Sequence, residues 1–415
     1  MITQEREVSS RQELLTALAN PEIGRIALTE DLIDLPTLRL LPGQVLFGAE
    51  DDVTLHFAAG QDGLQLSTDN QVENLQLFAD VDKRVIFNDT SVERLGVLQL
   101  RGLAVTGVVQ LLARDKVTSG HVDVDGLDIV AADARVFDDR PKGFGVEVIQ
   151  GAFTLWNQQT DAAVTITADL SGLSAGRASE PVRGSGVFVS GAGDVGGRLV
   201  VQNLETEAIF IDGGIAPNTA NRIAGGVFTV YGTFVDSVHN HGPVTTYGQN
   251  DMVLDNWGTV DRWVAEDKIT SFGHSGIGFV NFGTVNQLEV NGTIETFGEG
   301  ARGFNVYDGT VAVAEFERIV THAGGALGVQ IAQPVGTITV RRGIETFGGL
   351  GQSLVKGVFQ QLPAIALSVK PGGSIRELDV GGGLVTHEKG ISPLELWGVI
   401  DSLEVSGGFA ALGGD

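Results

Sequence analysis

The stretch GTVNQLEVNGTIETFG, residues 283–298, decides the fold, because its features recur along the C-terminal half of the chain. The opening glycine returns seven times, as Gly232, Gly258, Gly283, Gly309, Gly336, Gly373 and Gly398, at spacings of 26, 25, 26, 27, 37 and 25 residues. A second landmark follows it: TTYG at 245–248, TSFG at 270–273, and ETFG at 295–298 and 345–348. A fixed period in this range marks one supersecondary unit that cannot bury its apolar face alone and must stack on its neighbours.

Columns identify the unit. Two residues after the opening glycine stand Phe234, Val260, Val285, Val311, Ile375 and Ile400. Five after it stand Ser237, Trp263, Leu288, Ala314, Leu378 and Leu403, and seven after it His239, Ala265, Val290, Phe316, Val380 and Val405. Residues between, such as Asp236, Arg262, Gln287 and Glu377, are polar. This alternation belongs to strands, whose successive side chains point to opposite faces. Units this short do not make propeller blades, so the expected solution is a coil of two or three strands in a parallel β-helix.

The pattern resembles the right-handed parallel β-helix, or pectin-lyase-like, superfamily, over the whole chain. The resemblance implies an all-β, single-domain solenoid of roughly a dozen coils rising about 4.8 Å each. At the start, Ser10-Arg-Gln-Glu13 matches a capping box and precedes Leu14, Leu15 and Leu18, with Asn20-Pro21 as a stop. A short helix there would cover the open end of the first coil. The expected organisation is an arm and capping helix over 1–25, then the β-helix over 26–415. Insertions are expected near 131–146, 171–185, 212–224 and 348–372, as loops that can wall a groove. The last of these is apolar enough to form an extra coil or to pack against another subunit. Homotrimers are common among proteins of this resemblance, which makes a homo-oligomer the expected state.

Composition narrows the partners. The 415 residues include 52 acidic and 27 basic side chains, a formal charge of −25. Such a balance disfavours nucleic acid, anionic membranes and polyanionic polysaccharides. Bases occur singly, as at Lys268, Arg302 and Lys356, or as the pair Arg341-Arg342. No cysteine is present, so disulfides and thiolate metal sites are excluded. No metal or cofactor motif is found. The first residues, MITQEREVSS, lack an apolar signal region, which makes a cytoplasmic location the expectation unless a leader has been removed.

Candidate chemistry gathers between Asp236 and Glu299. Stacked coils place residues of one column about 5 Å apart, which makes His241 and Asp267 expected neighbours on one ridge with Glu266. His239 falls in the apolar column and is expected to be a core histidine. In IETFG, burying Glu295 would be costly, so Glu295 and Phe297 should point outward. The result is an external ladder of Tyr247, Phe272, Phe297, His322, Phe347 and His387, either a sugar platform or an interface; a backbone bend would turn it inward instead. His274 and Glu299 occupy one level of adjacent coils and can form an acid/base pair. The expected catalytic set is Glu266, Asp267, Glu295, Glu299 and His241, with Tyr247, Asp255, Trp257, Phe272, His274 and Phe297 binding substrate.

Three functions fit this reading. The leading expectation is an enzyme that cleaves or rearranges glycosidic bonds of a neutral saccharide, a hydrolase or an intramolecular transglycosylase resembling the β-helical fructotransferases. A polysaccharide lyase on a uronate polymer is the alternative and would need an electropositive groove. A non-catalytic glycan-binding or structural solenoid is the third.

Overall fold

The computed structural model describes residues 4–50, 52–355 and 357–413. The chain is an all-β parallel β-helix, and each regular coil has three faces. In one coil these are Thr259–Ala265, Ile269–Ser271 and Ile277–Asn281. In the next, Thr284–Thr296 runs unbroken through the first two faces before Arg302–Val306 forms the third. Strands that bend through the corner in this way join the first two faces into one sheet. On the third face, thirteen strands follow one another in chain order from Leu38–Arg39 to Leu394–Leu396.

The sequence columns lie in register. Val260 pairs with Val285 and Val285 with Val311, while Trp263, Leu288 and Ala314 align beside them. These side chains point inward and are buried. The third face adds Phe279 and Phe304, packed edge-on to Trp263 at 5.0 Å and tilted against Phe316 at 4.8 Å. The glycine of the second landmark has a steric cause. A Cβ on Gly298 would lie 1.8 Å from the carbonyl oxygen of Gly273 in the adjacent coil, so only glycine lets the coils close to stacking distance there.

The helix Arg11–Leu18 caps the first coil and buries Leu14, Ala17 and Leu18 against it. The Ser10 side chain accepts from the Glu13 amide at 3.4 Å, and the Glu13 carboxylate accepts from the Ser9 amide at 3.0 Å. Ahead of the helix, Gln4–Val8 is itself a strand, pairing with Ile23–Leu28. Residues 1–3 of the expected arm, and Lys356, lie outside the described residues. Among those described, no helix is long and apolar enough to cross a membrane.

Two alignments need correction. Val235, not Phe234, pairs with Val260, and Val238 with Trp263. The first unit therefore opens at Thr233, because Gly232 belongs to the preceding turn with φ +72°. A slip of one residue reverses every side chain of a strand. Phe234 is accordingly exposed, and His239 faces outward onto Glu266 instead of joining the core. Asn240 takes the inward place, where it donates to Thr206 at 2.8 Å and accepts from the Trp263 indole at 2.8 Å. Gly336 likewise stands inside the strand Pro334–Val340, since Val335 is the partner of Val311. Within 348–372, Leu350–Val355 and Val358–Pro363 form an antiparallel hairpin that folds back over the chain's own third face.

Candidate functional site

Two flaps cover the outside of the third face. One is the short ladder of Lys142–Gly143 with Val146–Val148, which continues onto the solenoid through Glu147 with Arg222 and Val148 with Ile223. Its tip, Phe144, is held at φ +51°. This left-handed conformation is unusual for an aromatic residue and costs on the order of 1–3 kcal/mol. Contacts hold it there: the Phe144 ring stacks on Phe282 at 4.3 Å and meets Trp257 edge-on at 5.1 Å. A Cβ on Gly143 would lie 2.6 Å from the Trp257 ring, so glycine allows the close approach. The Tyr231 hydroxyl accepts from the Lys142 amide at 3.1 Å and donates to the Lys142 carbonyl at 3.0 Å.

The second flap is the hairpin Leu350–Val355 with Val358–Pro363. The Gln352 amide donates to Glu299 at 2.8 Å and the Leu354 amide to the Ser275 hydroxyl at 3.0 Å, while the Ser353 hydroxyl donates to the Gly300 carbonyl at 2.7 Å.

Beneath the flaps the outward columns of the third face are buried. Met252, Ile277 and Val280 give an apolar floor, with Asp255, Arg302 and Asn305 set into it. Arg302 donates through Nε to Gln330 at 2.7 Å and through Nη1 to the Gly300 carbonyl at 3.2 Å, but its Nη2 has no partner among the described residues. Neither carboxylate oxygen of Asp255 and neither amide atom of Asn305 is hydrogen-bonded within the described structure. Burial pushes the Asp255 carboxyl well above the usual carboxylate range. The adjacent Trp257 indole opposes that rise without reaching hydrogen-bond geometry. Burial also pulls the Arg302 guanidinium down. Buried polar groups are normally satisfied, so the unpaired ones collected here single the chamber out as a candidate site.

Beside this chamber lies an open groove of about 480 Å³ along the turns from the third face to the first. Its floor is the Gly-Thr series at 232–233, 258–259 and 283–284, and its wall is Phe144, Tyr231, Trp257 and Phe282. Asp194, Arg198 and Asp308 carry its charge, with Arg198 over the Phe234 ring at 5.6 Å. Phe144 and Phe282 border both spaces, and the chamber behind them is lined by Asp255.

Asp255 and Trp257 are thus the sequence candidates that meet here. Neither groove nor chamber is lined by Glu266, Asp267, Glu295, Glu299 or His241. Glu266 sits on the outer side of the first two faces, between His239 at 3.1 Å and Asn291 at 2.9 Å. The Asn291 amide first, then His239, hold its carboxyl below the usual range. The His241 ring packs against His239 at 4.0 Å and lies 3.5 Å from Glu205, while Asp267 accepts from the Lys268 amide at 2.6 Å. Burial raises the Glu295 carboxyl, but bonds to Lys268 and His322 outweigh it and leave the group low. His274 and Glu299 do stand on adjacent coils, 3.8 Å apart.

The aromatic ladder runs on the outside of the second face. Tyr247, Phe272, Phe297, His322, Phe347 and His387 stack in sequence at 5.4, 5.0, 4.5, 5.3 and 4.0 Å, every pair within 12° of parallel. Such stacking occupies both faces of the inner rings, so Phe272 and Phe297 present edges to solvent. A sugar stacks on a ring face, which leaves only the two ends of this ladder for it.

Phe144, Phe282, Asn305, Tyr307 and Asp308 are absent from the sequence candidates, and Arg302 figured there only as an isolated base. A signal for the wall existed, since an aromatic residue precedes the opening glycine in Trp257-Gly258 and Phe282-Gly283. Among the described residues no cluster of three or more His, Asp or Glu side chains could hold a metal ion. A scan against protein-family models matches none, and searches of curated proteins and of solved structures return no match.

Proposed function

We propose that the chain binds a neutral saccharide in the groove beside Phe144 and acts on its glycosidic bond, with Asp255 as the proton donor. The observation that carries this reading is a fully buried, unpartnered carboxyl directly behind the aromatic wall of an open polar groove. A carboxylic acid kept protonated by an apolar site is the form that general-acid catalysis at a leaving oxygen requires. Asp308 or Asp194 would supply the second carboxylate, the base or nucleophile. Phe144 is the gate: moving it joins groove to chamber and frees ring faces of Trp257 and Phe282 for a sugar. Its strained backbone lowers the cost of that motion. Arg198 is the one base lining the groove, against two aspartates, which favours a neutral ligand over a uronate.

A panel of neutral and uronate oligosaccharides, read by mass spectrometry and ultraviolet absorbance, tests the reading. Cleaved or anhydro neutral products that vanish in Asp255→Asn, with binding retained, support it. An unsaturated uronate product would move the assignment to a lyase, and binding without turnover would leave a glycan-binding solenoid. The homo-oligomer proposal has its own support in the aromatic ladder, where Phe272 and Phe347 keep exposed edges on the outside of the second face. Sedimentation of the purified chain tests it.

A further inference from the structure

We propose that a second pocket, walled by the insertions near 131–146 and 212–224, binds the oxyanion of a small acidic molecule, a carboxylate or a phosphate. The cavity is about 330 Å³ and shares no lining residue with the groove. Arg135, Arg140 and Arg222 line it, and Asp133 is its one acidic lining residue. Arg183 converges on the same place, since a Cβ on Gly214 would meet Arg135 Nη1 at 2.4 Å and Arg183 Nη2 at 3.1 Å.

The charges here do not cancel. Arg135 is held bidentately by Asp133 at 2.8 and 2.6 Å, and Arg183 by Asp212 at 2.5 Å. Glu147 is committed to Lys142 at 2.7 Å and stands 4.0 Å from Arg222. Asp139 pairs away from the pocket with Arg114 at 3.1 Å. Behind the loop, buried Asp251 accepts from the Gly213 amide. Arg140 donates to the Arg135 carbonyl at 2.9 Å, and its buried Nε has no partner among the described residues. Three lining guanidinium groups, Arg135, Arg140 and Arg222, therefore face one lining carboxylate, Asp133, with the Arg183–Asp212 pair beside them. In a chain with 52 acids and 27 bases this is a local reversal of sign. Gathering guanidinium groups costs electrostatic energy unless an anion is to be held, and their planar forks fit carboxylate and phosphate oxygens. The volume falls within the range of small-molecule sites and exceeds a bare ion. Val136, Ile149 and Ile215 give it an apolar side, so the ligand carries a body beyond its charged group.

Calorimetric titration of the full chain with inorganic phosphate, glucuronate and glucose, at constant ionic strength, tests this. The expected result is binding of phosphate, glucuronate or both, none of glucose, and at least tenfold weakening in Arg140→Gln/Arg222→Gln. Arg262→Gln, on another surface, should bind as the parent does. The stronger of the two anions identifies the group. Because the double variant can misfold, the parent is also titrated at rising sodium chloride, where affinity for the anion must fall. Binding of neither anion, affinity indifferent to salt, or full affinity in a folded double variant overturns the proposal.

Discussion

Replacing Asp251 by asparagine should stabilise the protein increasingly as pH rises from 4 to 7. Asp251 is fully buried at the start of the strand Asp251–Asn256. Its Oδ2 accepts from the amides of Gly213 at 2.9 Å and Gly248 at 2.8 Å, while Oδ1 has no partner in the described structure. Burial pushes the carboxyl up, the two amide bonds oppose this, and nearby Asp212 adds to the rise, so that it moves from 3.8 to about 7. The native state thus keeps a proton that the unfolded chain has lost, and stability falls with pH wherever the native state binds more protons. Each pH unit in that window is worth about 1.4 kcal/mol. From 3.8 to about 7 the loss reaches about 4 kcal/mol, complete once pH passes the native value. Asparagine keeps an oxygen for the two amides and cannot ionise. Guanidinium denaturation of parent and variant at unit steps from pH 4 to 8 and fixed salt should show curves that meet near pH 4 and part with that slope. Exchange of the Gly213 and Gly248 amides should slow in the variant at pH 7. A stability difference independent of pH, or one that shrinks as pH rises, would refute the assignment of a protonated buried carboxyl.

Other outcomes follow from the same geometry. Gly298→Ala forces a methyl onto the Gly273 carbonyl oxygen at 1.8 Å, so the coils must part, and a loss above about 4 kcal/mol is expected in chemical denaturation. Phe297→Ala removes two ring stacks, at 5.0 and 4.5 Å, and should cost about 1–3 kcal/mol beyond lost burial; a neutral result would mean the ladder adds nothing to coil stacking. Glu295 is held low by Lys268 and His322, so its contribution is present above the unfolded carboxylate range and lost as pH falls through the native value. Glu295→Gln should therefore destabilise at pH 7 and by progressively less as pH falls below the usual carboxylate range, read by thermal melts in steps down to acid pH.

The repeat and its ladder were legible because they are local. Ile294, Glu295, Thr296 and Phe297 alternate along one strand, and a fixed period carries each residue onto its counterpart in the next coil. The reading slipped where a turn gained a residue, at Gly232-Thr233, since glycine marks a turn without counting its length. One added residue sent His239 out and Asn240 in. Asp255 and Trp257 entered the candidate set from the sequence, but nothing in the sequence set them together under a cover.

The amino-acid sequence by itself determined a stacked parallel coil of two or three strands, its end cap and the outward ladder, because each follows from alternation and period over a few dozen residues, and the third face came only with the structure. Only the tertiary structure decided where a site can lie. Phe144 reaches Trp257 because Lys142 is tied to Tyr231, 89 residues away, and the second flap is tied through Leu354 to Ser275 across 79 residues. These contacts leave Asp255, which shares its column with Phe228, Val280 and Asn305, buried and unpaired within the described structure, while the insertions separately gather Arg135, Arg140 and Arg222 at one pocket. Burial and charge at a site depend on what the chain lays over it, and insertions follow no period that could announce where they land.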